Sequence, residues 1–172
     1  DALQRWLKDG FDVNAGKYFG SLSVESGKPG GPKPPRGYMP PMYAEVFDLH
    51  ERPTHNYPMP MAEACLSLYV KTGRDLFKEA AVRWVEHIRG SLPANDSQGA
   101  YAEDYGRVIH YLVRASEVLQ KPELRELAVE VADEAMEQLY VPRMGMFRSH
   151  PGENRCDSVD GPGILLLALL YL

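Results

Sequence analysis

The sequence predicts an all-α domain built of helical hairpins. Three observations carry that prediction: helical periodicity in successive segments, alternation of segments apolar all round with segments apolar on one side, and recurrence of the pair after about 48 residues. A chain of 172 residues with 44% apolar and 25% charged side chains has the material for one ordinary core. Its net charge of −5 argues against the broad positive surface that a nucleic-acid backbone requires. Cys65 and Cys156 form neither a disulfide framework nor a metal-ligand spacing, and they leave the compartment open.

The elements follow in order. Ala2–Lys8 reads as the end of an outer helix, and Asp12–Phe19 as a turn with a short strand. Residues 28–60 hold nine of the fourteen prolines, among them Pro34-Pro35 and Pro40-Pro41, which excludes helix interior and predicts a long ordered loop over one mouth of the array. Tyr38, Met39, Met42, Tyr43, Val46, Phe47 and Leu49 give that loop apolar groups that need a surface to lie on. From Met59 to Val70 apolar residues spread round almost the whole circumference, the mark of an inner helix. Gly73 suits a left-handed helix end and Asp75 an N-cap. Residues 75–90 then place Phe77, Ala80, Ala81, Trp84, Val85 and Ile88 on one stripe, with His87 on the solvated side.

The pair recurs. Tyr101–Leu119 is the next inner segment, and Pro122 opens an outer helix carrying Leu124, Leu127, Ala128, Val131, Ala132, Ala135 and Leu139. The offset of about 48 residues carries Leu76 onto Leu124 and Ala80 onto Ala128. Tyr140–Phe147 repeats the turn and strand, and a third unit begins near Gly161. The run Ile164–Leu172 is far shorter than the roughly 20 residues needed to span a bilayer, so it reads as a buried helix. Exposing its Ile and Leu side chains would forfeit about 1.5–3 kcal/mol each. The whole chain, 1–172, reads as one incomplete domain whose sequence begins and ends inside repeats, with the remainder expected beyond both ends. Stacked hairpins of this period close into a ring or remain an open solenoid.

The alternating helices, the Gly-aromatic turns Gly16-Lys17-Tyr18-Phe19 and Gly145-Met146-Phe147, and the link Leu68-Tyr69-Val70-Lys71-Thr72-Gly73 resemble the six-hairpin (α/α) toroid enzymes. That group includes several glycoside hydrolase families, some polysaccharide lyases and the N-acylglucosamine 2-epimerase family. The resemblance is architectural and matches no family's catalytic motif. It implies an (α/α)6-toroid type of fold of which this chain supplies about half the ring, since six units need roughly 288 residues. It also implies a substrate pocket in a central funnel, lined by the loops entering the inner helices and by their first turns.

The repeat offset brings polar groups to that level. His55 and Asn56 map onto Glu103 and Asp104, and the third unit adds Asp157 and Ser158. Carboxylates gathered in a cleft push their pKa values apart and divide acid from base work. Glu103, Asp104, Asp157 and His55 are therefore the candidate catalytic residues. Asn56, Tyr57, Tyr101, Arg107, His110, His150, Arg155 and Asp160 are candidates for substrate binding. Each has a plainer reading: Glu103 and Asp104 favour the positive end of a helix, Asp157 and Asp160 suit a turn and an N-cap, and His55 suits a loop. Glu103, Arg107, His110, Arg114 and Glu117 also read as a mutually paired face, with Glu63, Ser67 and Lys71 a similar stripe one residue out of register.

No phosphate loop, dinucleotide fingerprint, HExxH or GxSxG occurs, so no cofactor and no metal is expected. The resemblance to the toroid enzymes implies carbohydrate chemistry, most plainly glycoside hydrolysis by carboxylate acid/base catalysis on a sugar or oligosaccharide, and neither nucleic-acid nor membrane partners are expected. Two alternatives stand beside it: a sugar epimerase or isomerase using His55, His110 and His150, and a non-catalytic helical-repeat binding module.

Overall fold

Residues 2–30, 42–47, 59–92, 99–156 and 161–172 are described by the computed structural model of the chain. Six helices carry this part: α1 (Ala2–Asp9), α2 (Met59–Thr72), α3 (Asp75–Gly90), α4 (Ala102–Val118), α5 (Glu123–Leu139) and α6 (Pro162–Tyr171). Two antiparallel ribbons, β1 (Phe11–Asp12) with β2 (Lys17–Tyr18) and β3 (Tyr140–Val141) with β4 (Met146–Phe147), follow α1 and α5. The architecture is predominantly helical, as the periodicity predicts.

Packing sorts the helices into two layers. α4 lies against both α2 and α6, α5 backs α4, and α3 backs α2. The outer helices bury the predicted stripes, Phe77, Ala80, Ala81, Trp84, Val85 and Ile88 on α3 and Leu124, Ala128, Val131, Ala132, Ala135 and Leu139 on α5. α4 buries residues on several sides at once because it has neighbours on several sides. Gly106 sets its approach to α6: a Cβ there would sit 2.7 Å from the Ile164 carbonyl carbon and the Leu165 nitrogen.

Local chemistry fixes the joints. The Gly73 N–H donates to Tyr69 O at 2.8 Å, and its φ of 64° ends α2 in the left-handed region. Asp75 is the first residue of α3, with Arg74 at the cap position, so the cap predicted at Asp75 falls one residue earlier and has no side-chain hydrogen bond. The two ribbons share one design. Phe11 pairs with Tyr18 and Tyr140 with Phe147, and Gly16 and Gly145 take φ of 67° and 63° at the same place in each turn. Trp6, Tyr18 and Trp84 stack in succession, with centroids 4.5 and 5.5 Å apart, and so join α1, β2 and α3.

Of the proline-rich stretch, the described segment 42–47 lies along β2. The Ala44 N–H donates to Tyr18 O at 2.7 Å, the Gly20 N–H donates to Met42 O at 3.0 Å, and Val46 and Phe47 are buried. This segment overturns the solvated assignment of His87, which is only 6% exposed, stacked on Trp84 and 3.8 Å from Glu45. The closing run also departs from expectation. α6 buries Leu165 and Ala168 against its neighbours but leaves Leu166, Leu167, Tyr171 and, at 85% exposure, Leu170 uncovered, because α4 is the helix that contacts it extensively among the described residues. α2 is likewise buried on one side, with Val70 exposed.

Candidate functional site

The first turn of α4 collects the carboxylates. Tyr101 occupies the N-cap position in extended conformation, and the Ala102 N–H donates to Ser149 O at 2.9 Å, fastening the 148–156 loop to the helix start. Glu103 and Asp104 follow, 6% and 4% exposed. Arg107, one turn on, donates from Nε to Glu103 Oε1 at 2.8 Å and from Nη2 to the same oxygen. Gly161, at φ 90° and the N-cap of α6, packs so tightly here that a Cβ would overlap the Glu103 backbone. The carboxylates of two consecutive residues are thus buried in the first turn of a helix, near its positive end, and the Arg107 guanidinium holds that of Glu103. The His150 ring lies 4.6 Å from that of Tyr101, and its Nδ1 accepts from the Gly152 N–H at 3.1 Å.

Further along the same helix a second cluster bridges α4 and α2. His110 Nδ1 is 3.0 Å from Glu63 Oε1, Arg114 Nη1 bonds Glu63 Oε2, and Arg114 Nη2 donates to Ser67 Oγ at 3.4 Å. The Tyr171 ring of α6 meets His110 edge-on at 5.9 Å. The His110 side chain keeps 42% of its surface in solvent while Glu63 keeps 22%. A carboxylate holding one ring nitrogen orients the imidazole and leaves Nε2 as its other proton site.

Burial pushes the Cys65 thiol up to about 12, so it is a packing group. Burial also raises the Tyr111 phenol, whose Oη donates to Ala81 O at 2.8 Å. Tyr105 is raised by burial and by its 2.8 Å hydrogen bond to Glu134. His87 and, after it, Lys17 hold the Glu45 carboxyl below its usual range, against the burial that raises it.

Among the predicted site residues the structure brings together Tyr101, Glu103, Asp104, Arg107 and His150 at the start of α4. His110 stands beyond Arg107 on the same helix, paired with α2, and Arg155 pairs with Glu153 at 2.7 Å in the adjoining loop. His55, Asn56, Tyr57, Asp157, Ser158 and Asp160 lie outside the described residues. Glu63 was not among the predicted site residues, although its stripe was legible. The signal was the spacing, since His110 faces Glu63 at a separation of 47 residues and Arg114 faces Ser67 at the same separation. Among the described residues no group of three or more potential metal ligands occurs, and no helix is long and apolar enough to cross a membrane. Comparison with protein families, curated proteins and solved structures finds no match.

Proposed function

We propose that the chain belongs to a carbohydrate-active enzyme of the (α/α) toroid type, and that it hydrolyses glycosides at the N-terminal end of its inner helices. The observation that carries this reading is the burial of Glu103 and Asp104 together in the first turn of α4, under the loop that closes on Ala102. The layering of α2, α4 and α6 against α3 and α5 supports it. A helix that needed only dipole compensation would be served by exposed carboxylates, at a gain of about 0.3–1 kcal/mol. Burying carboxylates costs more than that unless they are paired, as Glu103 is by Arg107.

In this reading one carboxylic acid protonates the leaving oxygen, and a second carboxylate activates water or attacks the sugar carbon. Glu103, Asp104 and Asp157 are the available carboxyls, and Arg107 fixes the Glu103 carboxylate in place. Tyr101 and His150 offer ring surfaces beside them.

The His110–Glu63 pair favours a second reading, a sugar epimerase or isomerase, in which the oriented imidazole exchanges a proton next to a carbonyl. One experiment separates the two. The full chain is incubated with a panel of aryl glycosides and oligosaccharides in D2O, and both liberated reducing ends and deuterium entering the sugar are followed. Hydrolysis predicts release that falls about 10²–10⁴-fold in Asp104→Asn or Glu103→Gln and persists in His110→Gln. Deuterium entry that depends on His110 and not on the carboxylates overturns hydrolysis in favour of epimerisation, and release unchanged in both carboxylate variants removes the proposed site.

A further inference from the structure

We infer that the cleft between the β3–β4 ribbon and the 148–156 loop binds an acidic sugar, holding its carboxylate on Arg143 and Arg148. The inference rests on the carbohydrate reading for the sugar ring and on the cleft itself for the charge. The cleft has a volume of about 280 Å³ and is lined by Arg143, Met144, Met146, Arg148, Glu153 and Arg155, among others. That is just below the roughly 300–1,000 Å³ of pockets for drug-sized ligands, and so suits one monosaccharide unit rather than a long chain.

Charge is the informative feature. The chain as a whole carries −5, yet among the described residues this cleft gathers three arginines against one glutamate. Arg155 already uses its fork on Glu153, with Nε to Oε2 at 2.7 Å and Nη2 to Oε1 at 3.3 Å. Among the described residues Arg148 donates from Nη1 to Pro151 O at 3.2 Å and has no carboxylate partner, and Arg143 makes no hydrogen bond or ion pair. Two like charges held in one concavity repel each other, and an anion between them relieves that repulsion. A guanidinium fork matches a planar carboxylate with two parallel bonds, the geometry Arg155 shows with Glu153. Glu153 also disfavours a doubly charged phosphate in the same space. Met144 and Met146, 62% and 45% exposed, supply polarisable apolar surface for the C–H face of a ring.

The position is suited to substrate recognition. The loop that forms one wall is the loop whose Ser149 carbonyl accepts from Ala102, so the cleft lies at the same end of the molecule as Glu103 and Asp104.

The test uses the full chain with labelled methionine methyl groups, titrated with sodium glucuronate, glucose and inorganic phosphate at matched ionic strength. The inference predicts saturable shifts of the Met144 and Met146 methyl signals with glucuronate, at least tenfold weaker binding in Arg143→Gln and Arg148→Gln, and no saturable shift with glucose. Glucose or phosphate binding as tightly as glucuronate overturns it, as does absence of a saturable glucuronate shift or an unchanged affinity in the arginine variants. Its failure is distinguishable from failure of the enzyme reading. Turnover of neutral glycosides dependent on Asp104, with no glucuronate at the methionines, leaves the enzyme and removes the acidic-sugar site. Glucuronate binding without any turnover does the reverse.

Discussion

Replacing Gly106 with alanine tests the contact that brings α6 to the start of α4. In an exposed helix interior the change stabilises, because alanine exceeds glycine in helix propensity by about 0.8–1 kcal/mol. At Gly106 the added methyl would lie 2.7 Å from the carbonyl carbon of Ile164 and the nitrogen of Leu165, about 0.7 Å inside ordinary contact, and both obstacles are backbone. No rotamer change relieves that overlap, so one helix must shift, at a cost of about 1–3 kcal/mol typical of overpacking. Set against the propensity gain, the net expectation is destabilisation of up to about 2 kcal/mol, or a fall in melting temperature of up to about 8 °C for a chain of this size. Gly90 is the control: it ends α3 with nothing within 4 Å of its added methyl, so Gly90→Ala holds or raises stability by up to about 1 kcal/mol. Urea unfolding of the three proteins followed by circular dichroism reads both values. A Gly106→Ala protein as stable as Gly90→Ala refutes the close α4–α6 crossing, and with it the placement of Gly161 over Glu103.

Three further outcomes follow from named groups. Gln120 holds a φ of 55° at the end of α4, where the Lys121 N–H donates to Ser116 O at 2.9 Å, so Gln120→Gly raises the unfolding free energy by roughly 0.5–1 kcal/mol; a loss contradicts the left-handed turn. A double-mutant cycle with Glu63→Gln and Arg114→Gln gives a coupling of about 0.5–1 kcal/mol, discounted for the third of Arg114 left in solvent, and a zero coupling removes the α2–α4 bridge. Burial raises Cys65, Tyr105 and Tyr111 in the folded chain, while the unfolded chain releases those protons near roughly 8.5 for thiol and 10 for phenol. Their stabilising share is therefore complete below about pH 8.5 and declines as the pH rises toward 12, so the urea midpoint drops between pH 8 and 10.5, and less steeply in Cys65→Ala. A flat midpoint contradicts the burial of these groups.

Much of the fold is legible because a helix records its neighbours in its own period. The stripe from Phe77 to Ile88 and that from Leu124 to Leu139 are buried as read, and the start of α4 falls one residue from the predicted Tyr101. The ribbons are legible for a similar reason, since Gly16 and Gly145 mark turns that need a left-handed residue. What fails is what depends on distant chain. His87 looks solvated from its own helix, but the cover that buries it is Glu45–Phe47, some forty residues away in sequence. The exposed side of α6 cannot be read from nine consecutive apolar residues, because their periodicity names no face. At the site, the pairing of Glu63 with His110 depends on the stagger between α2 and α4, which the 48-residue offset of the outer helices does not report. The arginine cleft is harder still, as Arg143, Arg148 and Arg155 meet only through the ribbon's turn and the loop folding back on it.

Amide hydrogen exchange of the full chain, with and without a bound oligosaccharide, measures directly where the ligand sits. The account predicts slowed exchange concentrated in residues 99–107 and 147–156, where α4 begins and the loop closes on it. Protection confined instead to the outward faces of α3 and α5, with α4 unchanged, contradicts a site at the head of the inner helices.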